Sequence, residues 1–258
     1  MNLSLSGRRA IVCGSTSGIG RACAQLLAER GASVVLAARD EEKLISTVNS
    51  LDGDDHSYIC ADFNDPENLR LKTIDHINKT GVIHILMNNS GGPPGGPLIE
   101  ANPDEFEIAF KRHVISSHIL TQAVVPGMKE KGYGRIINII STSVNQVIPG
   151  LGVSNTVRGA VAQWVKTLAI ELGPYGITAN NVLPGYIDTD RLKNLLEKSA
   201  KDKNITYDQM VTETEKKTSL GRIGLPTEVA SAVAFIASEA GGYISRTNFS
   251  VDGGRFGI

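Results

Sequence analysis

Residues 10–20 read AIVCGSTSGIG, a short unbroken apolar run followed by glycines at positions 14, 18 and 20. Four apolar residues in succession are typical of a strand that is buried on both faces, and helical periodicity follows over residues 19–30. The glycines therefore lie in the turn between a strand and a helix. Glycine lets such a turn tighten and lets a pyrophosphate approach the backbone, while the helix N-terminus offers free N–H groups to an anion. The stretch predicts a dinucleotide-binding loop; the alternative is an ordinary tight turn.

The alternation of strand and helix continues along the rest of the chain. This alternation predicts strands at residues 33–38, 58–60, 83–87, 135–140, 178–182 and 248–251. Periodic stretches between them predict helices at residues 67–79, 103–128, 153–172 and 227–237. Strands that alternate with longer helices indicate a parallel sheet covered on both faces. We therefore predict an α/β fold with one doubly wound parallel sheet of about seven strands, in a single domain over residues 1–258.

Two polar segments follow strand ends and interrupt this regular pattern. Residues 90–97 read SGGPPGGP, and residues 188–218 are charged and only weakly helical. Ligands of open parallel sheets lie outside the carboxyl ends of the strands, so we expect both segments to flank a site, with residues 188–218 as a lid inserted in the domain. The alternative for that segment is a solvated helical insertion without a role in binding.

The composition is that of a folded chain and argues against several other classes of protein. Of the 258 residues, 41% are hydrophobic and 21% are charged, which is close to the globular average. A formal net charge of −1 gives no positive field for nucleic acid, and no apolar run reaches the length of a membrane span. Three cysteines without paired spacing predict a reducing, cytoplasmic compartment. The histidines at positions 56, 76, 84 and 118 lack metal-ligand spacing, so we expect no metal site.

Arg39 ends the second predicted strand, about 20 residues after the glycines. An acidic residue at this place binds a ribose 2′-hydroxyl, whereas an arginine accepts a 2′-phosphate. The arginine favours NADP(H) over NAD(H). Two alternatives stay open. Arg39 can be a solvated charge at the end of the strand, and the neighbouring acidic residue Asp40 is compatible with NAD(H).

Together with the glycine loop, four further motifs make the chain resemble the short-chain dehydrogenase/reductase family, in particular its 3-oxoacyl-acyl-carrier-protein reductase-like members. They are Asp62 after the third strand, residues 88–91 (NNSG) after the fourth, Pro184 and Gly185 after the sixth, and residues 251–254 (VDGG) at the end of the last. The resemblance covers nearly the whole chain. It implies a Rossmann-like NAD(P)-binding domain that forms a homo-oligomer, usually a tetramer, without a nucleic acid or membrane partner.

Carried onto this sequence, the resemblance also implies which residues bind the cofactor. Asp62 corresponds to the residue that contacts adenine, Asn89 to one at the adenosine ribose, and the residues around Pro184 to the nicotinamide end. The complete predicted set is Gly14, Ser15, Thr16, Ser17, Gly18, Ile19, Gly20, Arg39, Asp62, Phe63, Asn89, Ser90, Gly91, Arg158, Pro184, Gly185, Ile187 and Thr189.

The catalytic positions depart from the family pattern. The family uses a serine after the fifth strand, a Tyr-x-x-x-Lys motif on the next helix and an asparagine on the helix before that strand. Aligning the sequence around residues 134–138 with the family places Ser141 at the serine. The same alignment places Ser154 at the tyrosine, Arg158 at the lysine and His113 at the asparagine. No tyrosine lies between Gly134 and Tyr175, so no shift of the alignment restores the motif.

These replacements change the expected chemistry. A phenol can pass a proton to a developing alkoxide, whereas a serine hydroxyl is a far weaker acid, and loss of a general acid typically removes about 10² to 10⁴ in rate. Arg158 stays protonated and suits the binding of an anion or of the nicotinamide ribose better than proton transfer. His113 is the only replacement that titrates near neutrality. If its ring points into the cleft, we hypothesise that it supplies the proton, while Ser141 polarises the carbonyl and Arg158 holds the cofactor ribose or a substrate anion. The alternative is a structural histidine bonded to a nearby carbonyl.

Two functions remain open at this point. The first is an NADP(H)-dependent oxidoreductase of altered mechanism that reduces a carbonyl or oxidises an alcohol on a small molecule or an acyl thioester. The second is a pseudo-enzyme that binds NADP(H) without turnover, as a sensor or as the partner of an active relative. A structural subunit that binds no nucleotide is disfavoured because the glycine loop is intact.

Overall fold

Seven parallel strands form one sheet in the computed structural model, which describes residues 2–256. The strands are β1 (Arg9–Cys13), β2 (Ser33–Ala38), β3 (Ser57–Cys60), β4 (Ile85–Asn88), β5 (Gly134–Ile139), β6 (Ile177–Pro184) and β7 (Asn248–Val251). Their order across the sheet is β3-β2-β1-β4-β5-β6-β7. The chain therefore reverses its direction of winding between β1 and β4, and the predicted doubly wound α/β fold of about seven strands is confirmed.

Nine α-helices connect the strands along the described chain. They are α1 (Gly18–Glu29), α2 (Glu41–Val48), α3 (Pro66–Thr80), α4 (Pro103–Phe110), α5 (Ser116–Lys131), α6 (Gly152–Leu172), α7 (Asp190–Lys203), α8 (Tyr207–Glu215) and α9 (Pro226–Ala237). Among these helices, none is long and apolar enough to cross a membrane.

The core consists of two layers, one on each face of the sheet. Along β1 the side chains alternate, so that Ala10 and Val12 join one apolar cluster while Ile11 and Cys13 join the other. The first cluster includes side chains of α1 and α9, and the second those of α3, α5 and α6. Strands buried on both faces need such unbroken apolar sequences. This burial explains why short apolar runs in the sequence identified central strands such as β1 and β2.

The local differences from the sequence prediction have physical causes. Helix α2 was not predicted because its eight residues are mostly polar, yet the Asp40 side chain caps it by accepting from the Lys43 N–H at 3.1 Å. The segment predicted as one helix over residues 103–128 is instead α4 and α5 joined by a π-helical turn at Lys111–Ile115. Residues 188–218 contain two well-capped helices, α7 and α8, rather than a weakly helical stretch.

Candidate active site

A cleft of about 650 Å³ lies along the carboxyl edge of the sheet. Residues at the ends of five strands line it, namely Gly14, Arg39, Asn89, Ile140 and Pro184. The reversal of winding between β1 and β4 separates the loops that follow these strands, which opens the space. The cleft therefore occupies the place at which open α/β sheets bind ligands.

The glycine loop forms one wall of the cleft. Gly14 and Gly18 have φ angles of +58° and +50°, which is the left-handed region that favours glycine. A Cβ atom on Gly14 would lie 2.8 Å from Nδ2 of Asn89, so the close approach of β4 also requires glycine there. The loop leads into α1, whose first turn has no acidic residue and whose N-cap Ser17 makes no side-chain capping bond. Its N–H groups are therefore available to an anion in the cleft.

Asn89 ties the end of β4 to the glycine loop. Its Nδ2 donates to the carbonyl oxygens of Cys13 and Gly14 at 3.3 and 3.4 Å. On the opposite side of the loop, a Cβ on Gly18 would lie 3.1 Å from Cγ2 of Thr189. The loop is thus held between two segments that the sequence also predicted to contact the cofactor.

Arg39 and Asp40 have different roles at the end of β2. Arg39 is exposed and lines the cleft. The Asp40 carboxylate caps α2 and lies 3.1 Å from Nζ of Lys43. The hydrogen bonds of the cap and the Lys43 charge lower the pKa of Asp40. Asp40, whose carboxylate could have bound the ribose 2′-hydroxyl of NAD(H), is therefore engaged in capping α2.

The structure brings nearly all of the predicted cofactor residues together in the cleft wall. Ser15 and Gly20 are the exceptions, because both are buried beneath the loop. The residues of the predicted set that line the cleft are Gly14, Thr16, Ser17, Gly18, Ile19, Arg39, Asp62, Phe63, Asn89, Ser90, Gly91, Arg158, Pro184, Gly185, Ile187 and Thr189.

Three of the four predicted catalytic residues also line the cleft. Ser141 follows β5 and accepts from the Ser143 N–H at 3.1 Å, whereas Ser154 and Arg158 project from consecutive turns of α6. Arg158 is only 8% exposed, and its Nη1 donates to the carbonyl oxygen of Ile139 at 2.8 Å. Burial, followed by the charge of Arg191, lowers the pKa of Arg158 to about 10. The guanidinium remains charged at neutral pH.

His113 does not line the main cleft. It is 4% exposed and shares a hydrogen bond of 2.7 Å between its Nδ1 and Oγ of Ser90. It faces a second, much smaller cavity of about 10 Å³ behind the cleft wall, which Arg158 also lines. Within the described residues, Nε2 of His113 and Nε of Arg158 are buried and have no hydrogen-bond partner.

The expectation that His113 titrates near neutrality is wrong. Burial, followed by the positive charges of Arg158, Arg112 and Arg191, lowers the pKa of His113 to about 2. A neutral imidazole carries no imidazolium proton to transfer at neutral pH. Neither the position of the ring nor its charge therefore favours His113 as the proton donor.

The π-helical turn explains how His113 reaches this position. Lys111–Ile115 inserts a wider turn between α4 and α5, and such turns are frequent at functional sites. Within the turn, His113 points inward while Arg112 points to the cleft and donates from Nε to Oδ1 of Asn64 at 2.6 Å. Two adjacent residues thus face two different cavities.

The sequence did not identify a group of basic side chains in the cleft. They include Arg191 at the start of α7, which donates to the carbonyl oxygens of Gly92 and Pro93 at 3.1 and 3.3 Å. Arg255 lies over the ring of Tyr186, with 3.7 Å from Cζ to the ring centroid. The proximity of Arg191 to the predicted contact Thr189 was an available signal, but charge on a polar segment usually indicates only a solvated helix.

The described residues contain no group of three or more His, Cys, Asp or Glu side chains placed to hold a metal ion.

Comparisons with known proteins agree with this fold over its whole length. Residues 14–255 match a family model described as Enoyl-(Acyl carrier protein) reductase. A curated relative, the 3-oxoacyl-(acyl-carrier-protein) reductase of Vibrio cholerae, is 33% identical over 256 residues, which cover 99% of this chain and 100% of the relative.

Two solved structures show the similarity in three dimensions. The L-sorbose reductase of Gluconobacter frateurii, complexed with NADPH and L-sorbose, is 27% identical with a TM-score of 0.92 and full coverage of both chains. The 3-ketoacyl-(acyl-carrier-protein) reductase of Brucella melitensis, complexed with NADH, is 27% identical with a TM-score of 0.85, covering 98% of this chain and 99% of that chain.

Proposed function

This chain belongs to the short-chain dehydrogenase/reductase family, and we propose that it is an NADP(H)-dependent oxidoreductase with altered catalytic residues. Its substrate is the carbonyl or alcohol of a small molecule or of an acyl thioester. The observation that carries the proposal is the continuous cleft that joins the glycine loop to Ser141 and Ser154. One ligand in this cleft can contact the loop while it presents its other end to the hydroxyl groups.

The shape of the glycine loop fits a dinucleotide. The loop backbone is bare where a pyrophosphate would approach, and the uncapped N–H groups of α1 lie at its end. Gly14, Gly18, Asp62, Asn89 and Thr189 would hold the cofactor from the glycine loop, the strand ends and the start of α7. NADPH, when bound, supplies a hydride to the carbonyl carbon.

Arg39 supports NADP(H) rather than NAD(H). Its guanidinium is exposed at the cleft wall, where it can pair with a 2′-phosphate, and Asp40 is engaged in capping α2. Relatives of this fold have been solved with either cofactor, NADPH in the sorbose reductase and NADH in the Brucella reductase. The preference therefore rests on the residues at the end of β2.

The side chains around the substrate would stabilise charge rather than relay a proton from an acid. Ser141 and Ser154 can donate hydrogen bonds to the carbonyl oxygen, on which negative charge develops as the carbonyl carbon accepts the hydride. Arg158 keeps its positive charge in a buried setting, where its field is stronger than in water. The proton that completes the alcohol is then taken from water that enters the cleft. His113, neutral and bonded to Ser90, would act as a positioning residue for the end of β4.

The second candidate function is a pseudo-enzyme that binds NADP(H) without turnover. The observation in its favour is that His113 is buried outside the lining of the main cleft, with a lowered pKa that does not favour it as the missing acid. A double variant, Ser154→Tyr with Arg158→Lys, separates the two candidates when it is assayed with NADPH against ketones and 3-oxoacyl thioesters. Activity in the parent protein supports the oxidoreductase. Activity that appears only in the double variant supports the pseudo-enzyme, and the single variant Ser154→Ala controls for the loss of the serine hydroxyl.

Three further features are part of the proposal. Residues 188–218 form the substrate lid, since both helices of that segment contribute side chains to the cleft.

The chain forms homo-oligomers, which is supported by the exposed apolar side chains Ile108, Phe110 and Ile115 on α4 and the π-helical turn. It works in the cytoplasm, which is supported by its three free cysteines. Size-exclusion chromatography with light scattering tests the oligomeric state.

A further inference from the structure

The cleft contains far more positive than negative side chains. Its acidic lining residues are Asp62 and Asp190. Its basic lining residues are Arg39, Arg112, Arg158, Arg191, Lys217 and Arg255. A dinucleotide accounts for some of this charge, but Arg39 follows β2, whereas the Arg158 guanidinium bonds to Ile139 at the end of β5. The two strands are three positions apart in the sheet. At a strand spacing of about 4.8 Å the two positions are separated by roughly 14 Å, so a 2′-phosphate at Arg39 does not neutralise Arg158.

Arg158 is a buried cation without an acidic partner. Within the described chain no carboxylate lies within 4.0 Å of its guanidinium, whose Nε is buried and has no partner. Its one hydrogen bond is to the neutral carbonyl of Ile139. Buried charges are normally paired, because desolvation without a counter-charge is costly. A ligand with negative charge would provide the missing partner.

Arg191 lines the same cleft from the start of α7. It is anchored to the carbonyl oxygens of Gly92 and Pro93, and a Cβ on Gly92 would lie 2.5 Å from its Nη2. Glycine at position 92 is therefore needed for the guanidinium to lie against the loop. Both arginines line one cleft, and the like charge of Arg191 lowers the pKa of Arg158. An anion bound in the cleft would offset this repulsion.

We infer that Arg158 and Arg191 together form a carboxylate-binding site, and that the substrate of the proposed oxidoreductase is an organic acid. The inference rests on the proposed function for the statement that the bound acid reacts. Each guanidinium presents a planar fork of N–H donors that matches a carboxylate. The lining of the cleft also includes apolar side chains, Ile148 and Leu151 before α6 and Leu192 and Leu195 on α7. They can contact the hydrocarbon body of an organic acid whose carboxylate is held by the arginines.

Binding to the NADP⁺-loaded protein tests the inference without turnover. The probes are 4-phenyl-2-oxobutanoate, its primary amide and inorganic phosphate, each measured by isothermal titration calorimetry. The acid and the amide have the same shape and differ in charge. Since a hydrogen bond to a charged group is worth roughly tenfold or more in affinity, we expect the acid to bind at least ~10-fold more tightly than the amide.

Variants then locate the anion. Arg191→Met is expected to abolish the preference for the acid, and Arg158→Met to do the same if it folds, as judged by circular dichroism. Lys193→Met is the matched control, since it removes the same charge from an exposed position on α7 that does not line the cleft. It should keep the preference.

Several results would overturn the inference. They are equal binding of acid and amide, no binding of either, an unchanged preference in Arg191→Met, and competition by phosphate at an affinity equal to or higher than that of the acid. Displacement of NADP⁺ by the acid would also overturn it, because the anion would then occupy a cofactor phosphate site. NADPH fluorescence in the same samples tests the proposed function separately. If the cofactor does not bind, the acid and amide can still be compared on the cofactor-free protein.

Discussion

Replacing His113 should make the stability of the protein less sensitive to acid. The imidazole has an ordinary pKa of 6.5, and in the folded chain the pKa is lowered to about 2. Below pH 6.5 the unfolded chain therefore binds a proton that the folded chain excludes, so the free energy of unfolding falls as the pH falls. For one such group, lowering the pH from 7 to 5 removes about 2 kcal/mol of stability. This figure does not depend on the exact folded value, provided that the folded pKa lies well below 5.

The assay compares urea unfolding of the parent protein and of His113→Asn at pH 7 and at pH 5. Partly buried His76 and His84, whose pKa values are also lowered by burial, contribute equally to both proteins and cancel in the difference. The variant is expected to lose about 2 kcal/mol less than the parent over this interval. His118→Asn, an exposed position on α5, controls for the loss of an imidazole as such. The same loss in His113→Asn as in the parent would refute the argument that the ring is buried and neutral.

Three further outcomes are expected. Arg39→Ala should weaken NADPH binding by roughly 10- to 100-fold, through the loss of a charge-assisted contact, and leave NADH binding nearly unchanged. Fluorescence titration with both cofactors measures the two affinities, and an equal loss for both would contradict the role of Arg39. Gly14→Ala should abolish binding of either cofactor, since φ is +58° and the new Cβ would lie 2.8 Å from Asn89 Nδ2; unaltered affinity would show that the loop is not the binding element. Half-buried Cys60 should react with a thiol reagent well before the buried thiols Cys13 and Cys23, because burial raises the pKa of Cys13 to about 12 and that of Cys23 further. Mass spectrometry after brief labelling identifies the modified residue.

The sequence was sufficient for the architecture because the sheet is buried on both faces. The central strands then appear as nearly unbroken apolar runs, as residues 10–13 and 33–38 show. What the sequence did not reveal were features that depend on local capping or on register within a helix. Asp40 caps α2 through a single side-chain bond, and the π-helical turn at Lys111–Ile115 has no signal in the apolar periodicity.

The candidate site was predictable to a similar extent, and for a related reason. Residues in the turns that follow strands, such as Gly14, Asn89 and Ser141, are placed in the cleft by the topology alone. The environment of a side chain depends on the distant residues that surround it. The state of His113 is set by burial and by Arg158 and Arg191, which are 45 and 78 positions further along the chain. No local pattern around His113 contains that information.

The position of β1 between β2 and β4 has a consequence for how the protein folds. Ala10 pairs with Val34 of β2 on one side and with Ile85 of β4 on the other. One edge of β1 therefore stays unpaired until β4, which lies about 50 residues after β2 in the chain, has been synthesised. Long-range pairing of this kind is slow, and an unpaired strand edge is prone to aggregation. The bonds from Asn89 to the glycine loop form only when β4 has docked. The loop therefore acquires its final geometry only after β4 has docked, and a nascent chain that stops short of β4 leaves one edge of β1 unpaired.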